Sequence, residues 1–154
     1  MFPIKEFSIS RWDNSDCFGV LQNRSHLKYL WPNLFFFKSY LPDKEQIDWN
    51  ILVDGGINSD TGGKTHNYLK NHPDLKMSQF KILSSCNWNK ENSDLELPQK
   101  VWDFLKNDIK NVDGKYWCEM YDEIFLHYRA GSNWENISKT IHQKRIESLK
   151  ACLN

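Results

Sequence analysis

The sequence predicts an α+β fold, with a small antiparallel sheet in the N-terminal half packed with about three C-terminal helices. Three observations carry that prediction. Short segments of alternating, β-branched or aromatic character dominate residues 1–90. From residue 98 onward, apolar residues recur at helical spacing instead. No internal repeat or low-complexity linker separates these halves, so the 154 residues are expected to form one domain, 1–154.

Taken in order, Phe7, Ile9 and Arg11 alternate with Ser8 and Ser10, the period of a strand. Leu34–Leu41 is rich in aromatics and Ile47–Val53 in apolar and β-branched residues, so both read as strands. Pro42-Asp43-Lys44-Glu45-Gln46 between them suits a hairpin loop. Thr65–Asn71 reads as a short helix that His72-Pro73 ends, because the residue before proline avoids the helical region. Gln79–Cys86 reads as a further strand, with Phe80, Ile82 and Ser84 on one face.

The region 98–153 reads as helical. Pro98 suits a first helical position, and Val101, Trp102, Leu105 and Ile109 follow on one stripe until Asp113-Gly114. Trp117, Met120, Tyr121, Ile124, Phe125 and Tyr128 fit the i, i+3, i+4 template, with Gly131 as a cap. Ser132-Asn133-Trp134-Glu135 has the form of a capping box. It opens a last helix bearing Trp134, Ile137, Ile141, Leu149 and Leu153.

Composition narrows the function classes. Twenty basic and twenty acidic side chains cancel, which argues against a protein that grips nucleic acid through phosphates. No apolar run approaches the ~20 residues of a membrane helix, and no signal peptide is visible, so the expectation is a cytoplasmic protein without a membrane partner. Cys17, Cys86, Cys118 and Cys152 form no C-x-x-C pair, and five scattered histidines supply no zinc spacing. Free thiols, no metal and no cofactor are therefore expected. Two alanines and four arginines against fifteen asparagines and sixteen lysines suggest an AT-rich gene, of bacterial or phage type.

Candidate chemistry is sparse. Four of the seven glycines fall between Asp54 and His66, yet the spacing from Gly56 to Gly63-Lys64-Thr65 is too long for a phosphate loop. Asp54, Asn58 and Asp60 miss the order of a calcium loop. A surface loop remains, or one that meets a partner. No G-x-S-x-G elbow accompanies Ser84-Ser85-Cys86, and no catalytic residue is assigned.

Asp54 on one strand, with Gln79 and Lys81 on the next, resembles the acid and E/Q-x-K pattern of PD-(D/E)XK nucleases. That resemblance implies Mg²⁺ held by carboxylates beside an activating lysine. No proline precedes Asp54, and Gln79 replaces the usual acid. Residues 129–141 resemble the first helix of a helix-turn-helix, with Lys144, Arg145 and Lys150 on the second. His142 alone stands where a turn is needed, so one continuous helix is the simpler reading.

Trp12 and Trp88 each sit among polar residues, as binding anchors do. With no catalytic signature, the expectation is a protein that binds another protein, by analogy of type with immunity proteins that occlude a bacterial toxin's active site. The expected partner-binding residues are Asp43, Glu45, Asp48, Asp54, Asp60 and Trp88, the acids standing in for phosphates if the toxin is a nuclease. The alternatives are a hydrolytic enzyme using the Asp54–Lys81 region and a DNA binder using the C-terminal helix.

Overall fold

The computed structural model describes residues 2–111, 113–128 and 139–153. Its strands are β1 (Phe2–Pro3), β2 (Cys17–Arg24), β3 (Leu27–Phe37), β4 (Val53–Asp54), β5 (Ile57–Asn58), β6 (Met77–Gln79), β7 (Ile82–Leu83), β8 (Glu119–Tyr121) and β9 (Phe125–His127). Its helices are α1 (Thr65–Asn71), α2 (Gln99–Asn107) and α3 (Lys139–Leu153), with 3₁₀ turns at Ile9–Trp12 and Lys44–Gln46. The mixed α+β class is as the sequence predicts. The chain divides into two compact units, Ser8–Phe80 and Met1–Phe7 with Lys81–Asn154.

The 8–80 unit is built on a long hairpin. Cys17–Leu21 is an unbroken buried run, because β2 is the central strand between antiparallel β3 and parallel β6. Ser25, at a φ of 53°, turns the chain from β2 into β3. The expected hairpin around Pro42–Gln46 is not formed: Leu34–Phe37 is the end of β3, Lys44–Gln46 is a 3₁₀ turn, and only Val53 of Ile47–Val53 lies in a ladder. Gly19 faces Phe35 so closely that a Cβ would lie 2.6 Å from the Leu34 carbonyl oxygen. The ladder register shifts there, between Gly19 and Leu21, as Trp31–Leu34 bulge out. Ile9 and Arg11 belong to a 3₁₀ turn, where the serine-rich alternation suggested a strand.

α1 has the predicted bounds, and it holds the sheet edge. Its Thr65 hydroxyl accepts from the Leu30 N–H at 2.8 Å, and His66 Nδ1 accepts from the Lys28 N–H at 3.1 Å. His72 ends the helix with an extended φ of −126° ahead of Pro73.

In the other unit, β1, β9, β8 and β7 form one antiparallel sheet in that order. Trp117–Tyr128 is a hairpin here, correcting the helix expected from its spacing. Asp122 and Glu123 both take positive φ, and the Ile124 N–H closes the turn on the Tyr121 carbonyl at 3.0 Å. Folding the segment back pairs Met120 with Leu126, both fully buried. A tight hairpin can thus mimic i, i+3, i+4 spacing while using two faces of a sheet.

α2 buries Val101, Trp102, Phe104 and Leu105. It stops at Asn107, because Asp108 turns to an extended ψ of 126°. Ile109, expected on the helix stripe, lies beyond its end and is 60% exposed. α3 is continuous through His142, so no helix-turn-helix break exists there. Trp134, Ile137 and the capping box lie outside the described residues.

Candidate functional site

The 8–80 unit carries an open aromatic cleft of about 410 Å³, lined by Trp12, Asp13, Phe18, Phe35, Phe36, Phe37 and Lys38. A stack builds its floor. Trp12 lies parallel on Phe18 at 4.3 Å between centroids, and Phe18 on Phe36 at 4.8 Å. Phe80 meets Trp12 edge-on at 5.4 Å, and Phe35 packs edge-on against Trp49 at 5.8 Å. Offset and edge-to-face aromatic contacts add to the stabilisation that burial brings. Phe37 at the rim is 46% exposed, and Tyr40 just beyond it 67%, with the Lys38 ammonium 5.8 Å from its ring centroid. Large apolar side chains are thus left open to solvent beside a preformed cleft.

The acidic residues expected to mimic phosphates lie in this same unit, but four of the five sit beside a base. Asp43 faces His72 at 3.2 Å, Asp48 faces Lys64 at 3.0 Å, Asp54 faces His26 at 2.9 Å and Asp60 faces Arg24 at 3.8 Å. Asp48 is held below the usual carboxylate range by the Asn50 N–H, then by Lys64. His72 is held above the usual imidazole range, first through its bond to the Tyr68 carbonyl and then through Asp43. These are solvated local pairs, and the Lys64 and Arg24 charges offset those of Asp48 and Asp60. Glu45, in the 3₁₀ turn, is exposed.

Trp88, expected as an exposed anchor, is corrected by the structure. It is 2% exposed, and its indole N–H donates to the Cys118 carbonyl at 2.8 Å. Trp102 and Tyr116 meet it edge-on at 6.4 and 5.0 Å, so it offers no surface to a partner. Trp12 is also buried, as the cleft floor. Polar flanks hid both residues from sequence reasoning, because local polarity says nothing about where a loop folds back.

No family model, curated protein or solved structure matches this chain.

The alternative chemistries fare worse against the geometry. β6 ends at Gln79, and Lys81 lies outside any strand with its N–H bonded to Asp122, so 79 and 81 do not share a strand face. Among the described residues, no three His, Cys, Asp or Glu side chains gather as metal ligands. Arg145, expected to face DNA, is buried in the unit containing 81–154, where its Nε donates to Asp108 at 2.6 Å and its Nη2 bonds the second carboxylate oxygen. Its guanidinium also lies 4.1 Å over the Tyr128 ring. Burial pushes the Cys17 thiol up to about 11 and Cys118 to about 12, with Asp16 and Asp108 adding to the effect. Neither is a thiolate nucleophile near neutral pH.

One polar cluster escaped the sequence reading. Glu119 and His127 pair across β8 and β9, with His127 Nδ1 2.7 Å from Glu119 Oε2. The Tyr121 hydroxyl donates to the same oxygen at 2.6 Å. The carboxylate orients the imidazole, leaving Nε2 on its far side. Glu-x-Tyr followed six residues after Tyr121 by His is readable only once the segment is known to be a hairpin.

Proposed function

We propose that this protein acts by binding another protein through the aromatic cleft of its 8–80 unit, in the manner of an immunity-type inhibitor that covers a toxin's active site. The observation that carries the reading is the cleft itself, with Phe37 exposed at its rim and Tyr40 exposed just beyond, beside a Trp12–Phe18–Phe36 stack. Binding energy at protein interfaces concentrates in a few aromatic anchors and the pockets that receive them. Asp43, Asp48, Asp54 and Asp60 take a secondary part, setting orientation and encounter rate, because each already has a basic neighbour. Occlusion by this surface requires no catalytic group and no cofactor.

The test is affinity capture of the tagged protein from its native lysate, followed by a binding comparison of variants. One stoichiometric protein surviving high-salt washing, weakened at least tenfold by Phe37→Ala with Tyr40→Ala, is the expected result. A partner indifferent to that pair, yet weakened by Ile109→Ala on the other unit, overturns the site. Inhibition of the captured partner's activity by the purified protein tests the inhibitor role, and full activity in the complex overturns it.

A further inference from the structure

The cleft is bordered by backbone that has its own unmet demand. On β2, the Cys17 N–H donates to the Lys76 carbonyl, and the Gly19 carbonyl accepts from the Phe80 N–H, so residues 17 and 19 turn toward β6. Phe18 and the Asp16 carbonyl therefore turn toward β3, where the Lys38 N–H bonds that carbonyl at 3.0 Å, while the Asp16 N–H donates to Lys76 on the other side. By antiparallel alternation, Phe36 and Lys38 face β2, while Phe35 and Phe37 direct their N–H and C=O groups outward. β3 is the edge of its sheet.

The two halves of this edge are treated differently. Over Lys28 and Leu30, the chain satisfies the outward N–H groups with His66 and Thr65. Gly62, at a φ of 92°, lies so close that a Cβ would be 2.3 Å from the Leu30 carbonyl oxygen. Over Phe35 and Phe37, no backbone group of the described residues pairs with the outward side. An unpaired edge is a template for another strand, and proteins usually cover or charge such edges. Here the stretch without outward backbone bonds borders the aromatic cleft and carries exposed Phe37, while Trp49 packs edge-on against the Phe35 ring.

We infer that the Phe35–Phe37 edge binds an extended segment of the partner protein as an added strand, with one apolar side chain of that segment seated in the aromatic cleft. This rests on the protein-binding reading and deepens it. The occupant's form follows from the edge: outward N–H and C=O groups two residues apart match an extended backbone. Its character follows from the lining, which is aromatic except for Asp13 and Lys38 at the rim. One charge of each sign, with the Lys38 ammonium bonded to the Asp13 carbonyl, suits a segment uncharged at its central position. Pro32 has no N–H to offer and limits the added strand at the other end.

The test pans the full-length protein against a displayed library of random heptapeptides, with counter-selection on Phe37→Pro. Proline at this position removes the outward N–H where an edge tolerates it. Phe37→Ala, which keeps the N–H and removes the ring, is the second variant, and near-ultraviolet circular dichroism checks that both fold. Enriched peptides are expected to alternate apolar residues. They should weaken at least tenfold on Phe37→Pro and less on Phe37→Ala, and should slow hydrogen exchange at the Phe35 and Phe37 amides. Enriched peptides that leave those two amides unprotected overturn the inference, as does panning without enrichment. Protection that rises with protein concentration alone gives the edge to a second copy of this chain, and also overturns it. A captured partner that binds Phe37→Pro as tightly as wild type removes the added strand while leaving protein binding intact.

Discussion

The two units use aromatic residues and charges in opposite ways. In the unit containing 81–154, Trp88, Trp102 and Tyr116 close on one another, and Asp108 and Arg145 pair with only 1% and 2% of their side chains exposed. In the 8–80 unit, Phe37 and Tyr40 stand open beside a cleft, and the Asp48–Lys64 and Asp60–Arg24 pairs are solvated. The lesson is that aromatic richness marks neither core nor surface by itself. What separates them is whether partners converge. Trp88 has a carbonyl for its N–H and two rings edge-on to it, whereas no backbone group of the described residues pairs with the outward side of Phe35 and Phe37.

The largest expected effect breaks the closed unit. Asp108→Ala leaves the Arg145 charge buried without its carboxylate and should destabilise by about 3–5 kcal/mol, read from denaturant midpoints. Asp108→Leu with Arg145→Met should recover most of that loss, because an apolar pair of similar volume needs no charge compensation. A smaller effect is expected in the open unit. Gly19→Ala drives a Cβ to 2.9 Å from the Phe35 Cα and should cost about 1–3 kcal/mol while disturbing the cleft.

Phe37→Ala should change stability by no more than about 0.5 kcal/mol, because the ring is half exposed. The same substitution should weaken partner binding, and that contrast sharpens the distinction between the units. The smallest effect is the pH response of His72. Its folded pKa is raised, so its contribution is complete below the ordinary imidazole value near pH 6.5 and fades as pH rises through the higher folded value. Asp43→Asn should flatten that decline, measured as the denaturation midpoint against pH.

Much of the α+β class was legible, because α1 and α2 announced themselves by spacing and by proline. The β2–β3 hairpin was hidden for two reasons. β2 is buried on both faces and does not alternate over Cys17–Leu21, and Ser25-His26 is not a glycine-bearing turn. The β8–β9 hairpin was hidden by an accident of spacing, and its turn residues Asp122 and Glu123 carry no strong turn signature. Of the candidate site, the acids are named by local loop composition alone, while their basic neighbours come from distant positions, as Arg24 beside Asp60 and His72 beside Asp43 show. Such pairings are tertiary facts. The aromatic segment Leu34–Leu41 reads as a strand, yet the strand stops at Phe37 and its edge position depends on topology that no local pattern encodes.

The most direct test of the central claim measures partner affinity for three proteins side by side: wild type, Phe37→Ala with Tyr40→Ala, and Ile109→Ala. All three substituted residues are exposed and apolar, so general loss of hydrophobic surface is controlled. The account predicts at least a tenfold weakening for the Phe37 and Tyr40 pair, about 1.4 kcal/mol or more, and less than about twofold for Ile109→Ala. Equal affinity of wild type and the Phe37 and Tyr40 variant would contradict it.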